Sequence, residues 1–250
     1  MKTMKMKVLL TAATLGLAVS IAVVATGGQA SLSDEALIDG FKQTTVASVA
    51  DAVDQVVGER GFMSHELRPI IPGKVIGRAI TALVRPAPPD KATPALAVKH
   101  SVEMIDNSKP GEVGVIVMED GLDVAAIGGL MATTAKVRGM AGMVLDGGVR
   151  DLAEIRALKL PVYARSVTPA TAVGRYASVA RQIAVKCAGI TVNPGDIIVA
   201  GEDGVVRVPQ EKAAEVLAKA REIDARETKM VPMIKQHKSL KKVIDLFNRI

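Results

Sequence analysis

The fold of this chain is decided by residues 113–165, which read VGVIVMEDGLDVAAIGGLMATTAKVRGMAGMVLDGGVRDLAEIRALKLPVYAR. The run from Val113 to Met118 carries no charge and is mostly apolar, which favours a strand that is buried on both faces. The rest of the stretch predicts strands at 124–127, 142–145 and 161–165, and helices at 130–138 and 151–158. Strands that alternate with helices in this way predict an α/β architecture.

The sequence on the N-terminal side predicts two helices, a turn, a strand and another helix. Ser33 caps the first helix, and Gly58 ends the second. Residues 68–73 have the composition of a turn, and residues 74–84 alternate as a strand does. Residues 93–106 have helical spacing.

The C-terminal side changes character. Short apolar runs separated by turn residues fill positions 182–209, which predicts a small antiparallel or barrel-like layer. A charged amphipathic helix follows from Gln210 to about Lys229. The sequence after Ala30 contains no long linker and no repeat. It therefore predicts one compact domain over residues 31–230, followed by a basic helix or tail at 231–250.

The first 30 residues have the order of a secretion signal. Three lysines precede an apolar run over residues 8–25, and the small residue Ala30 offers a cleavage point. Removal of residues 1–30 takes these lysines away and lowers the formal net charge from +6 to +3. We therefore expect an exported, periplasmic protein. The alternative is an uncleaved inner-membrane anchor formed by residues 8–25, which is the only case in which we expect contact with a membrane.

The composition excludes several classes of site. The chain has no Trp, three Phe and two Tyr, so few rings are available to stack on bases, and we expect no nucleic-acid partner. Cys187 is the only cysteine, which excludes an intramolecular disulfide and a metal site built from several cysteines. The three histidines are scattered and have no metal-binding spacing.

Two pairs of residues at predicted strand ends carry the candidate chemistry. Gly128 and Gly129 lie between a strand and a helix, where free backbone amides can bind an anion. Arg150 and Asp151 follow the next strand of the same α/β unit, so both pairs can face one crevice. An arginine can hold a carboxylate or keto oxygen, and an aspartate can hold a hard cation. The residues alone leave another interpretation open, in which Asp151 caps a helix and Arg150 is a solvated surface charge.

Residues 128–151 resemble the signature of the 4-hydroxy-4-methyl-2-oxoglutarate aldolase and regulator of ribonuclease activity A family, including its spacing from Gly128 to Arg150. The resemblance extends over roughly residues 34–230. Further matches are at residues 48–52, 74–77, 162–165, 174–176, 194–196 and 203–205. The resemblance implies a single β/β/α-layered, swivelling-type α/β domain. It also implies a homotrimer, or a hexamer, with active sites in clefts between subunits.

The resemblance also implies a reaction. It is that of a metal-dependent lyase, which cleaves 4-hydroxy-4-methyl-2-oxoglutarate-like oxo-acids or decarboxylates oxaloacetate through a pyruvate enolate. Arg150 would contact pyruvate oxygens, and Asp151 would ligate a divalent cation, usually Mg²⁺ and otherwise Mn²⁺. Four consecutive backbone amides would bind the pyruvate carboxylate: those of Gly128, Gly129, Leu130 and Met131. The alternative from another class is a non-catalytic binding or regulatory trimer.

Two departures from the family pattern concern acidic residues. The aldolases of the family usually carry an acid where this chain has Gly129, and their C-terminal Gly-Glu pair has no counterpart after Gly204. Glu202, Asp203 and Glu227 are the sequence-based candidates for a replacement carboxylate.

Overall fold

A computed structural model describes residues 32–247, so the predicted leader at 1–30 lies outside the described residues. The helices are α1 (Asp34–Lys42), α2 (Val46–Val57), α3 (Pro94–Ala97), α4 (Lys99–Asp106), α5 (Gly129–Val137), α6 (Leu152–Leu158), α7 (Ala213–His237) and α8 (Leu240–Phe247). The strands are β1 (Arg68–Ile71), β2 (Val75–Pro86), β3 (Val113–Met118), β4 (Ala125–Ile127), β5 (Gly142–Val149), β6 (Val162–Val167), β7 (Tyr176–Arg181), β8 (Val185–Cys187), β9 (Ile190–Val192), β10 (Ile197–Gly201) and β11 (Gly204–Val208).

The main sheet confirms the predicted α/β architecture. Its strand order is β1-β6-β5-β3-β2-β10-β11, with β4 paired to β5 and β7 paired to β2. The central strands β2, β3, β5 and β6 are parallel to their neighbours within this group. Every residue of β3 and β5 is buried, as predicted for the apolar run from Val113 to Met118. The sheet is nearly closed and barrel-like.

The predicted start of α1 and the predicted end of α2 are confirmed. Ser33 Oγ accepts a hydrogen bond from the Ala36 amide at 3.2 Å, which satisfies one free amide of the first turn of α1. Helix α2 ends at Gly58, whose φ of 77° is readily adopted by glycine.

Other segments differ from the prediction. Arg68–Ile71 is not a turn but strand β1, which pairs with β6 at the edge of the sheet, where a proline is tolerated. The predicted helix at 93–106 is broken at Val98 into α3 and α4. The sequence does not predict strand β7, because only one of its six residues is buried and the strand has no apolar alternation.

The C-terminal strands do not form a separate layer as a group. The hairpin of β8 and β9 is separate and antiparallel, whereas β10 pairs with β11 on one side and with β2 of the main sheet on the other. Helix α7 continues past Lys229 to His237 and contains Pro232. Between residues 32 and 247, no helix combines the length and the apolar character that crossing a membrane requires.

Three apolar clusters hold these elements together. Helices α4, α5 and α6 cover one side of the parallel strands, and the β8–β9 hairpin covers the other side. Helices α1, α2 and α7 pack on β10 and β11. Ala132 and Ala135 of α5 and Ile155 of α6 are fully buried in the first cluster. Because α5 and α6 follow the neighbouring parallel strands β4 and β5, their first residues lie at the same edge of the sheet.

Candidate active site

The candidate site begins where two neighbouring parallel strands end. Strand β4 ends at Ile127 and β5 ends at Val149, and these two residues are register partners. The Arg150 amide also donates a hydrogen bond to the Ile127 carbonyl oxygen at 3.2 Å. The structure therefore brings together the two residue pairs that the sequence singled out, because each pair directly follows one of these strands.

Asp151 does not cap α6, although it stands at the capping position. Its side chain makes no capping hydrogen bond, and its backbone is left-handed, with φ 58° and ψ 42°. Its Oδ2 atom instead accepts a hydrogen bond from the Gly129 amide at 2.8 Å. A non-glycine residue in this conformation costs of order 1–3 kcal/mol, and such strain concentrates at functional sites. The helix-capping interpretation of Asp151 is therefore wrong.

Arg150 and Asp151 form a loose ion pair at the surface. Arg150 Nε lies 3.6 Å from Asp151 Oδ2. The two side chains are 38% and 39% exposed, so both are open to a ligand in the single chain. The arginine contributes positive charge beside the carboxylate without fully neutralising it, since the separation exceeds a normal hydrogen bond.

The first turn of α5 keeps backbone amides free for an anion. The Gly129 amide already donates to Asp151. The amides of Leu130 and Met131 lie in the same first turn, where a helix offers no carbonyl partner and its dipole favours negative charge. Of the four amides that the resemblance assigns to a substrate carboxylate, the Gly129 amide is thus already hydrogen-bonded within the protein. The amides of Leu130 and Met131 have no carbonyl partner in the helix.

Gly128 must be a glycine for the site to have this shape. A Cβ atom there would lie 2.5 Å from Asp151 Oδ2 and 2.9 Å from Arg150 Nε, closer than real Cβ atoms approach other atoms. A side chain at position 128 would therefore displace both charged groups from their present positions.

A second acidic side chain beside Gly129 was not among the sequence-based candidates. A Cβ atom on Gly129 would overlap Glu154 Oε2 and would lie 3.6 Å from Asp151 Cβ. Glu154 is exposed and is the third residue of α6. The spacing Asp151-x-x-Glu154 is a signal that could have drawn attention to it, because it is the spacing of a helix capping box.

The three carboxylates suggested from sequence lie elsewhere in the chain. Glu202 and Asp203 form the turn between β10 and β11, and Glu227 lies on α7. The charge of Glu202 assists burial in raising the pKa of Tyr163 to about 12. Asp203 lines a cavity of about 530 Å³ with residues of α2, and Glu227 lines another of about 280 Å³ beside α8. Neither lining includes Arg150 or Asp151.

Another acid of the signature stretch has a structural role. Asp146 is 8% exposed, and its carboxylate accepts hydrogen bonds from Arg165 Nη1 at 2.9 Å and from the Ala188 amide at 2.6 Å. It thereby ties β5 to β6 and to the β8–β9 hairpin. Cys187 is fully buried next to it, and burial raises the pKa of its thiol. The thiol is therefore protonated at neutral pH, as expected for a structural cysteine.

The donor set at the strand ends suits a hard cation that keeps most of its water. Within residues 32–247, no group of three Asp, Glu, His or Cys side chains is arranged to enclose a metal ion. Mg²⁺ does not need such a cage, because it commonly binds through one or two carboxylates and several waters. Asp151, with Glu154 beside it, offers carboxylates of this kind at an exposed position.

Known proteins resemble this chain in sequence and in structure. A protein of Halalkalibacterium halodurans named "Putative 4-hydroxy-4-methyl-2-oxoglutarate aldolase" is 30% identical over 193 residues, which cover 75% of this chain and 83% of that protein. An uncharacterised protein of Methanocaldococcus jannaschii is 37% identical over 135 residues, or 54% of this chain. The matched region spans 64% of that protein's length, and 27% of the length of the Legionella pneumophila protein DlpA.

A solved structure also has the same fold as this chain. The Streptomyces coelicolor protein RraAS2, described as an unusual member of the RNase ES inhibitor RraA protein family, superposes with a TM-score of 0.68 at 26% identity. The match covers 79% of this chain and 96% of that one. A family model described as RraA-like (aldolase/RraA) matches residues 46–207. Since this match covers more than half of the chain, the protein belongs to the RraA-like family.

Proposed function

We propose that this protein is a divalent-metal-dependent lyase that produces a pyruvate enolate. Its substrates would be 4-hydroxy-4-methyl-2-oxoglutarate-like oxo-acids, oxaloacetate, or both. The observation that carries the proposal is the position of the Asp151 carboxylate. It is turned away from α6 and held by the Gly129 amide, next to Arg150 and the open end of α5. The carboxylate remains 39% exposed, so it can also bind a cation from solvent.

The chain offers a separate group for each part of such a substrate. The free amides of Leu130 and Met131, aided by the α5 dipole, suit the substrate carboxylate. The Arg150 guanidinium suits the neighbouring keto oxygen, where it can stabilise negative charge. Asp151 would hold Mg²⁺ or Mn²⁺, directly or through water.

Both reactions require these residues to stabilise the same pyruvate enolate. In the aldol cleavage, the C4 hydroxyl gives its proton to water and becomes the keto group of one released product. The C3–C4 bond breaks, and its electron pair forms the enolate of pyruvate, which then takes up a proton. In the decarboxylation, the bond to the leaving carboxylate breaks, CO₂ departs, and the electron pair forms the same enolate. A bound divalent cation supplies Lewis-acid stabilisation of the developing oxyanion. Arg150 contributes to the same stabilisation, so one site can serve either substrate.

The decisive experiment measures pyruvate release from oxaloacetate and from 4-hydroxy-4-methyl-2-oxoglutarate, with Mg²⁺, with Mn²⁺ and with EDTA. We expect metal-dependent release by the wild type and a loss of at least 100-fold in Arg150→Ala and Asp151→Ala, in line with the loss of a group that stabilises the oxyanion. Arg156→Ala is the matched control, since residue 156 is exposed on α6. Equal rates for all four proteins would contradict the proposal.

A non-catalytic binding or regulatory protein is the second candidate. It is favoured by the similarity to RraAS2, whose description refers to the RraA family of ribonuclease inhibitors. A wild type that releases no pyruvate with either metal, but co-purifies with one protein partner in constant ratio, would support this alternative.

The proposal includes a homotrimer exported to the periplasm after removal of residues 1–30, with an anchor at residues 8–25 as the alternative. Leu130 is 88% exposed and Val137 is 81% exposed, and seven residues apart they lie on the same face of α5. An exposed apolar strip beside the site supports subunit contact there. Mass spectrometry of the exported protein identifies its N-terminus, and light scattering counts the subunits.

A further inference from the structure

Helices α7 and α8 are joined by a short turn around which lysines are concentrated. Helix α7 ends at His237, Lys238 follows with a left-handed backbone, and α8 begins at Leu240. Residues 229–247 contain five exposed lysines and a single acid, Asp245. The lysines are Lys229, Lys235, Lys238, Lys241 and Lys242. The last four lie within about one helical turn of the junction, which we call the α7–α8 corner.

The charge of these lysines is not balanced within the protein. None of their ammonium groups makes a hydrogen bond or an ion pair within residues 32–247. Earlier in α7 the pattern is different, because Lys212 pairs with Glu215 and Lys219 pairs with Glu222. Charges one helical turn apart lie within the Debye length of about 10 Å in 0.1 M salt, so the lysines at the corner attract an anionic surface together.

Exposed apolar side chains flank the lysines. Helix α8 packs against α7, and its residue Val243 is fully buried. Leu246 is nevertheless 64% exposed, and Leu240 and Val231 are also exposed. A surface that combines lysines with exposed leucines is typical of helices that lie in the interface of a membrane, where lysine stems cover apolar surface and the ammonium groups stay in water.

We propose that the α7–α8 corner binds the surface of a membrane that contains anionic lipids. The lysines bind the anionic headgroups, and Leu240 and Leu246 enter the boundary between headgroups and acyl chains. An acidic protein or a nucleic acid offers the negative charge but no apolar layer for these leucines. The contact is independent of the lyase chemistry and of the predicted leader. It also lies outside residues 46–207, which the family model matches.

The test measures co-sedimentation of the exported protein, its N-terminus identified by mass spectrometry, with two kinds of vesicle. One kind is phosphatidylcholine alone, and the other contains about 30% phosphatidylglycerol, which supplies a negative surface potential. We expect binding to the mixed vesicles only. Raising the salt from about 0.1 M to about 0.5 M should weaken this binding, because the Debye length becomes shorter.

Variants of the lysines locate the contact. We expect Lys241→Gln/Lys242→Gln to weaken binding about 25-fold, because each lysine near an anionic surface strengthens binding about fivefold. Lys91→Gln/Lys186→Gln is the matched control, since it removes two exposed lysines elsewhere in the chain, and it should bind within about twofold of the wild type. Thermal melts verify the folding of each variant.

A variant of an exposed leucine distinguishes a lipid surface from a soluble polyanion. We expect Leu246→Ser to weaken binding to the mixed vesicles about fivefold or more, because part of a leucine no longer leaves water. If the lysine variant binds weakly but Leu246→Ser binds like the wild type, the corner binds anionic groups without apolar contact, and the lipid proposal is wrong.

The remaining outcomes are equally decisive. A wild type that binds neither kind of vesicle refutes the proposal, and so does equal binding of all variants to both kinds, which places the membrane contact in another segment. A control that weakens as much as Lys241→Gln/Lys242→Gln shows that net charge alone matters and excludes the corner as the site. Pyruvate release should be the same in the wild type and in these variants, so the membrane contact and the lyase function can each fail without the other.

Discussion

Replacing each glycine of the pair Gly128-Gly129 by alanine separates the two roles that the structure gives them. A Cβ atom at position 128 would lie 2.5 Å from Asp151 Oδ2 and 2.9 Å from Arg150 Nε. A Cβ atom at position 129 would overlap only the flexible end of Glu154 and would lie 3.6 Å from Asp151 Cβ, which is an ordinary contact. The two variants therefore add the same methyl group next to different side chains.

The expected magnitudes follow from the contacts that are lost. In Gly128→Ala, Asp151 must move, and its hydrogen bond from the Gly129 amide is broken. A hydrogen bond to a charged group contributes about 1.5–3 kcal/mol, and we take the lower end because Asp151 is 39% exposed. The less favourable helix N-cap adds about 0.5 kcal/mol. We expect the free energy of unfolding of Gly128→Ala to fall by about 2 kcal/mol.

Gly129→Ala should behave differently. Alanine in a helix is favoured over glycine by about 0.5–1 kcal/mol, and the displaced Glu154 side chain has no bond within residues 32–247 to lose. We therefore expect unchanged or slightly higher stability, together with weaker metal binding, since the Glu154 carboxylate moves away.

Urea unfolding followed by circular dichroism measures both free energies, and titration with Mn²⁺ measures binding. A decrease of about 2 kcal/mol lowers the melting temperature by about 4–8 °C in a domain of this size. If Gly129→Ala is destabilised as much as Gly128→Ala, or if Gly128→Ala unfolds like the wild type, the steric account of this site is wrong.

Three further predictions concern the scaffold around the site. Asp146→Asn should lower the free energy of unfolding by about 2–4 kcal/mol in urea, because it removes the charge that pairs with Arg165 in a nearly buried position; a change below 0.5 kcal/mol would contradict the structural role. Cys187 should resist alkylation at pH 8 in the native protein and react after unfolding. Burial raises the pKa of this thiol above its ordinary 9.0, so the stabilisation that the thiol contributes is present below pH 9.0 and decreases above it. Urea unfolding at pH 8 and pH 10 measures this decrease. Rapid alkylation of the native protein would contradict the burial of Cys187. Val137→Glu should yield smaller species in light scattering, because it places a charge in the exposed apolar strip of α5; an unchanged mass would exclude this strip as a subunit contact.

The strands and helices around the site could be predicted because their signals are local. The apolar run from Val113 to Met118 and the glycines at 128 and 129 mark a buried strand and a strand-to-helix turn within a few residues. Strand β7 and the pairing of β10 with β2 could not be predicted in this way. Each depends on hydrogen bonds to β2, whose paired residues lie 90 or more positions away along the chain.

Among the side chains of the site, too, some positions follow from local sequence and others depend on tertiary contacts. The positions of Arg150 and Asp151 at a strand end follow from sequence pattern, and the resemblance to a known family assigns them chemistry. The Asp151 carboxylate accepts a hydrogen bond from the Gly129 amide and does not cap α6. This contact depends on the packing of α5 beside α6. The helix-capping interpretation was a sound local expectation, and tertiary contact overrides it.

The amino-acid sequence on its own determined that the chain has an α/β fold. It also placed an anion-binding turn and an Arg-Asp pair at neighbouring strand ends. Hydrophobic periodicity and turn chemistry are properties of adjacent residues, so these features need no knowledge of the folded chain. Only the tertiary structure decided which carboxylate stands at Gly129. Glu154 is 25 positions away from that glycine. It arrives there because α5 and α6 share one apolar cluster, and the direction of a side chain between two helices depends on that packing.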